Sequence, residues 1–209
     1  RFADHRGMTL RGVKTLVDYG LLRFLVTDKV ECYAVTDPAA RAAEIRRMDR
    51  RQFGKSKAYP LVGVDKSWLV GASLLEREPP AVGVLVVEGA TDFLSAWDLY
   101  VRARIDNPDI PRWRILSVLG ASCRRLDSEC ARLIRGRHVR IVPDADEAGE
   151  GMLSCWEQKF RSLGCPVDSI KLPEGTDITD QFPFLAPEAL FAAGNVMVEH
   201  WIDLVRKIG

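Results

Sequence analysis

Four stretches of almost unbroken apolar residues, each followed by a segment of helical character, constrain this chain more than any other feature. "VGVLVVE" (82 to 88) leads into an apolar-striped helix from Thr91 to about Arg104, and "ILSVLG" (115 to 120) into one from about Arg125 to Ile134. "HVRIVPD" (138 to 144) precedes a helix from about Glu147 to Leu163, and "VDSIKL" (167 to 172) precedes a final helical region from Pro187 to Ile208. Strands without a polar face must be covered on both sides, and helices of this length supply the cover and the parallel crossovers. The expected fold class is α/β, a Rossmann-like sandwich around a central, mostly parallel sheet.

Upstream the character differs. "MTLRGVKTLVDYGLLRFLV" places Leu10, Val13, Leu16 and Val17 at helical spacing, with Thr9 as N-cap and Gly20 as a stop, so residues 1 to about 30 are expected to be helical. From about 30 to 80, short runs such as "VECYAV" and "SWLVGAS" alternate with charged and glycine-containing turns, which predicts a small strand-rich annex. The Pro-Pro and Gly of "LEREPPAVG" (75 to 83) mark the boundary. The expected organisation is a helical and strand-rich basic subdomain over 1–80, a catalytic domain over 81–182 and a helical region over 183–209.

Thirty basic and twenty-nine acidic residues leave a net charge of +1 on 209 residues, so any strongly charged site must be local. Cys32, Cys123, Cys130, Cys155 and Cys165 include no C-x-x-C pair, which argues against a disulfide framework or zinc ribbon and for reduced, mostly buried thiols. No signal peptide or membrane-spanning run is visible, and a cytoplasmic location is expected. The chain starts at Arg1 rather than methionine, so flanking sequence is expected. The first strand runs into Glu-Gly-Ala-Thr-Asp rather than a G-x-G-x-x-G dinucleotide fingerprint. "FGKSK" (53 to 57) imitates the tail of a P-loop, but Asp49 stands where that motif needs glycine.

Ligands of open α/β sheets bind outside the carboxyl ends of the strands. Glu88 ends the first strand, Asp144 and Asp146 the third, and Asp177 and Asp180 follow the fourth, so all face one rim. Alone, Asp92 reads as first-turn charge on a helix and Asp144 or Asp146 as an N-cap. Glu88 is different, because a carboxylate extending a strand with no polar face must be paired or bind a cation. Two carboxylates about 5 Å apart repel by roughly 3 kcal/mol at an effective dielectric of ~20, and a cation removes that cost. An oxygen-only ligand set without histidine or cysteine favours Mg²⁺ or Mn²⁺. Asp144 and Asp146, as alternate residues of an extended segment, share a face, and Gly149 lets the next helix approach closely.

"VVEGATD", "RIVPDADEAGEGM" and "KLPEGTDITDQF" together resemble the E-G-x-x-D, D-x-D-x-A-G and final acidic motifs of the Toprim domain. The order of elements is similar to DnaG-type and phage or plasmid primases, and the resemblance covers about residues 80 to 182. "RAAEIRRMDRRQFGKSKAYPLVGVDKSWLVGAS" resembles the strand-rich basic subdomain that precedes Toprim in primase cores. The resemblance implies Glu88, Asp144 and Asp146 as catalytic residues, and these three with Asp92 and Asp177 as metal ligands. Thr179 departs from the final motif, where primases often carry a second aspartate, with Asp180 coming one residue later.

The implied activity is metal-dependent nucleotidyl transfer on nucleic acid, primer synthesis on single-stranded DNA from nucleoside triphosphates, in DNA replication of a phage or mobile element. A replicative helicase or a zinc-binding domain is the implied partner in a full-length protein, and a membrane is not. A template needs cationic contacts away from the acidic rim. Arg47, Arg51, Lys55, Lys57 and Lys66, with Arg46 and Arg50, are the candidates, and Tyr59 and Trp68 could stack bases. Arg124, Arg125, Arg132, Arg135, Arg137 and Arg140 read as surface charge. Two alternatives stay open, a Toprim nuclease and a nucleic-acid-binding Toprim module without turnover. A topoisomerase, which needs a separate gate domain, is excluded by length.

Overall fold

The computed structural model describes residues 1–61, 63–77, 80–119, 123–181, 185 and 187–193. Two short helices open the chain, α1 (Phe2–Arg6) and α2 (Leu10–Asp18). The Thr9 side chain caps α2 by accepting the Gly12 N–H at 2.9 Å, as its position predicts. Helix does not continue to residue 30. Gly20 turns the backbone at φ +73°, and the apolar run beyond it becomes strand β1 (Leu22–Thr27). Short apolar runs fit either period, and here an antiparallel partner decides. That partner is β2 (Val30–Thr36), reached through a turn whose two residues, Asp28 and Lys29, both have positive φ. With β3 (Ala43–Arg47) and β4 (Tyr59–Pro60) they form an antiparallel sheet in the order β1-β2-β3-β4. The annex is strand-rich as expected, except that "SWLVGAS" contributes only one bridge, Val70 to Ser117, followed by a 3₁₀ turn over Ala72–Glu76.

The second sheet holds β5 (Gly83–Glu88), β6 (Trp113–Val118), β7 (His138–Val142) and β8 (Val167–Ser169), all parallel, in the order β6-β5-β7-β8. Helices α3 (Gly89–Asp106), α4 (Ser128–Ile134) and α5 (Glu147–Ser162) follow the first three of these strands. This is the expected α/β sandwich. The short helices α6 (Ile178–Gln181) and α7 (Pro187–Leu190) follow β8. The expected C-terminal helix beyond residue 193 and part of the "LEREPPAVG" boundary lie outside the described residues. No helix among the described residues is long and apolar enough to cross a membrane.

One continuous apolar core runs from Phe2, Leu16 and Tyr33 of the annex to Val86, Trp97 and Ile141 of the parallel sheet. The Val70–Ser117 bridge stitches the annex to the edge of β6 with backbone bonds of 3.0 and 3.1 Å. Gly71 makes this contact possible, because a Cβ there would sit 2.6 Å from the Ile115 carbonyl oxygen. Asp98 of α3, wholly buried, accepts the Thr9 N–H at 3.1 Å and so ties α2 to the sheet's covering helix. All five cysteines are free, and Cys32, Cys130 and Cys165 are buried.

Arg140 overturns the reading of it as surface charge, since it is fully buried in β7. Its guanidinium forks onto Asp168 of β8 at 2.9 and 2.7 Å and donates to the Leu190 and Ala192 carbonyls at 2.9 and 3.1 Å. It also lies 4.8 Å from the centre of the Trp113 ring, whose indole N–H donates to the Phe191 carbonyl at 2.8 Å. The end of α7 and the residues after it are thereby fastened to the sheet by donors from Arg140 and Trp113, and Asp168 holds the Arg140 guanidinium in place. Removing one partner of a buried pair strands the other charge, so Asp168→Ala is expected to cost about 3 kcal/mol in chemical denaturation. Arg125→Ala, at an exposed site, is expected to change stability little. Equal losses in the two variants would contradict the buried-pair account.

Candidate functional site

Strand β5 is buried at every position, and its last residue, Glu88, is still only 8% exposed. Gly89 follows with φ +78°, a conformation natural to glycine, and α3 starts immediately. The turn is therefore too short to carry the Glu88 carboxylate out to water. Its Oε2 is buried and has no hydrogen-bond partner among the described residues. Burial, then the charges of Asp144 and Asp146, push its pKa up to about 7.

Asp144 and Asp146 stand just after β7. Asp146 does serve as N-cap of α5, accepting the Gly149 N–H at 2.8 Å. Gly149 is required there, because a Cβ would come within 2.0 Å of the Asp144 carbonyl oxygen. Asp144 is half-buried, and burial followed by the charges of Asp177 and Asp146 raises its pKa to about 6. The loops after β7 and β8 are zipped together by backbone bonds, Ala145 N–H to the Thr176 carbonyl at 2.9 Å and Gly175 N–H to the Ala145 carbonyl at 2.8 Å. That zipper draws Asp177 into the field of Asp144.

Asp92, in the first turn of α3, is 4% exposed and is raised to about 8 by burial and then by Asp177. Its Oδ1 accepts the Thr179 hydroxyl at 2.7 Å and the Thr179 N–H at 3.2 Å, and it lies within the field of Asp144. Ser95 adds a hydroxyl contact to Thr179 at 3.1 Å. Thr179 and Ser95 are thus site residues that sequence reasoning did not assign. The signal available was the departure at 179: a hydroxyl donor satisfies buried Asp92, where another carboxylate would repel it. Asp177 accepts the Asp180 N–H at 2.8 Å in the first turn of α6.

The five acidic residues picked from the sequence therefore meet as one electrostatic unit. Among the described residues no three His, Cys, Asp or Glu groups are close enough to form a ready ligand set. The donor chemistry nonetheless suits a hard divalent cation, because Glu88 Oε2 lacks a donor and its neighbours repel it. A cavity of about 440 Å³ opens beside the unit, lined by Asp144, Asp146, Glu150, Lys171 and Glu174 among others.

The basic candidates lie in the annex. Arg47 forks onto Asp49 at 2.8 and 2.6 Å and holds that carboxyl well below its ordinary range. Arg46 pairs with Glu44 at 2.5 Å, Arg50 donates to the His5 carbonyl, and Arg51 lies 3.9 Å from Asp49. Lys55, Lys57 and Lys66 are exposed. Tyr59 is exposed, but Trp68 is 2% exposed beneath the Arg41 guanidinium, 4.3 Å from the ring centre. Trp68 is core and cannot stack a base.

Residues 85–182 match the family pattern described as Toprim-like. This segment is a Toprim-like domain. It begins in β5, so it takes in Glu88, Asp92, Asp144, Asp146 and Asp177, and it ends just after α6. Solved structures with the same fold include the zinc-binding and RNA polymerase domains of Aquifex aeolicus primase, at TM-score 0.61 and 17% identity over 99% of this chain and 58% of that one. The RNA polymerase domain of Mycobacterium tuberculosis primase DnaG aligns at TM-score 0.53 and 17% identity, over 93% of this chain and 62% of that one. A chain from bacteriophage T7 lagging-strand DNA polymerase interacting with primase domains of two gp4 subunits aligns at TM-score 0.54 and 16% identity, covering 85% of this chain and 82% of its own. The chain thus spans less than two thirds of both bacterial primase structures. No curated protein matches it in sequence.

The raised carboxyl groups of the Toprim-like domain predict a sign for its pH dependence. Folded Glu88, Asp92 and Asp144 keep protons that the unfolded chain releases near pH 4, so the metal-free protein loses stability as pH rises from about 4 to about 8. Asp92→Asn keeps the oxygen that accepts from Thr179 and cannot ionise. It is expected to melt higher than wild type at about pH 8 and almost identically near pH 4. A melting curve no higher than wild type at the upper pH would contradict the assignment of Asp92 as a neutral, hydrogen-bonded group.

Proposed function

We propose that this chain performs metal-dependent nucleotidyl transfer on nucleic acid, as a primase-type enzyme that extends a ribonucleotide on single-stranded DNA from nucleoside triphosphates. The observation that carries the reading is Glu88, buried at the end of β5 with an oxygen that has no hydrogen-bond partner among the described residues and a charge opposed by Asp144 and Asp146. Carboxylates from separate loops are held in mutual repulsion only where a cation or a proton relieves them. Glu88, Asp144 and Asp146 would hold Mg²⁺ or Mn²⁺. Such an ion polarises a phosphate and offsets the charge that develops on it.

The protein's own groups divide the remaining work. Glu88, with its pKa near 7, exists in both protonation states at neutral pH and can hold or release a proton at the rim. Asp92, bonded to Thr179, anchors α6 to α3 and so keeps Asp177 in place. The organisation proposed is an annex over 1–80 that guides the template, the catalytic domain over 81–182 and a C-terminal helical region over 183–209. Lys55, Lys57 and Lys66 are exposed for phosphate contacts, while Arg47 and Arg51 share Asp49. A zinc-binding domain or a helicase is the proposed neighbour, supported by the Aquifex primase structure, which spans both zinc-binding and polymerase domains.

Glu88→Gln removes one charge without changing shape. It is expected to abolish Mg²⁺-dependent incorporation of labelled nucleotide on single-stranded DNA while the circular dichroism spectrum is unchanged. Retained incorporation would overturn the site. Shortening of a labelled oligonucleotide by wild type, without incorporation, would move the function to the Toprim nuclease. Binding of the oligonucleotide with neither reaction would leave the non-catalytic module.

A further inference from the structure

At the other end of the parallel sheet from Glu88 lies a second cavity, of about 430 Å³, bounded by α2, the later turns of α3 and the start of β6. Register sets the separation: Gly83 pairs with Trp113 and Glu88 with Val118, so the two ends of β5 are about 17 Å apart at ~3.3 Å per residue. Four of the ten lining residues are arginines (Arg11, Arg104, Arg112 and Arg114) and none is acidic. In a chain whose net charge is only +1, that is a marked local imbalance.

Arg104 Nη1 is oriented by the Ile110 carbonyl at 2.6 Å, a contact that positions a guanidinium without cancelling its charge, and Arg114 Nε donates to the Leu74 carbonyl at 3.2 Å. Arg11 and Arg112 are exposed, and neither guanidinium has a hydrogen-bond or ion-pair partner among the described residues. Trp97 also lines the groove, is 1% exposed, and its indole N–H finds no acceptor among the described residues. Tyr19, 38% exposed, stands edge to face against Trp97 at 5.6 Å, and the Arg77 guanidinium lies over its ring 6.0 Å from the centre. Several guanidinium groups and an indole donor without an acceptor among the described residues, beside a partly exposed tyrosine, suit an oxyanion.

We propose that this groove is a second anion site, which binds the phosphate groups of a nucleotide or of a single-stranded nucleic acid. Guanidinium forks match phosphate oxygens in pairs, and Tyr19, 38% exposed at the edge of the groove, is an aromatic neighbour for an attached base. The volume is of the size that holds a small ligand, about 300 to 1,000 Å³. The acidic rim repels phosphate, so the two ends of the sheet have opposite preferences. The inference does not rest on the catalytic reading, because none of the acidic residues lines the groove.

The test is binding by the full chain, without metal, of a short fluorescent oligothymidylate and, separately, of inorganic triphosphate. Arg11→Glu/Arg112→Glu is compared with Arg23→Glu/Lys159→Glu, which changes net charge equally outside the groove. The groove variant is expected to bind at least about tenfold more weakly at ~0.1 M salt, with a shallower salt dependence, while the control variant stays near wild type. Arg11→Gln/Arg112→Gln serves if the charge reversal alters the melting curve. Dependence on Arg11 and Arg112 for triphosphate assigns a nucleotide's phosphates, and dependence for the oligonucleotide alone assigns a strand. Equal losses in the groove and control variants would overturn the proposal, as would equally tight, arginine-dependent binding of oligoglutamate. Glu88→Gln is expected to leave both titrations unchanged, so failure of the catalytic reading and failure of the groove are separate results.

Discussion

Strand β5 is buried along its whole length and hydrogen-bonded to a parallel neighbour on each edge, and the acidic rim follows from where it ends. A strand in that position has no solvated face, so every side chain on it is committed to the interior. Glu88 is the point at which that commitment meets a charge. With Gly89 turning directly into α3, the side chain stays largely buried, 8% exposed, with Oε2 out of contact with solvent. The zipped loops after β7 and β8 then bring further carboxylates to the same place.

Such an arrangement stores repulsion, and the structure relieves it unevenly. Asp92 is relieved by donors, with the Thr179 hydroxyl and N–H both directed at one oxygen. Asp146 is relieved by the α5 N-terminus through Gly149. Glu88 receives no such donor among the described residues. The contrast separates carboxylates already bonded by donors from the one whose oxygen lacks a donor among the described residues. It also explains the place where the final acidic motif departs from the primase-like pattern, since a carboxylate at 179 would face Asp92 across a buried contact.

Buried cations follow the same logic. Arg140 reads as one of a run of surface arginines because its neighbours Arg135 and Arg137 are polar company in sequence. In space it sits between Asp168, Trp113 and the carbonyls of 190 and 192, partners 27 to 52 residues away along the chain. Trp68 illustrates the converse, an aromatic flanked by charge and glycine that is nonetheless core. Neither outcome is visible in a window of ten residues. At the far end of the sheet, the arginines of α2, α3 and β6 belong to no common motif, yet share one groove.

What the amino-acid order determined by itself was local: the alternation of apolar strands and helices, the Thr9 cap, the close approach at Gly149, and acidic residues at three strand ends. These rest on periodicity, steric size and backbone preference, which act within a few residues. The reading of residues 20 to 27 failed within that same range, because an apolar run can serve either period until a partner strand selects one. Tertiary structure alone decided which oxygens are already bonded and which carboxylate is left without a donor. Those are contacts between groups as far apart as Asp92 and Thr179, 87 residues along the chain, and burial, charge and hydrogen bonding there depend on folding that brings distant loops together.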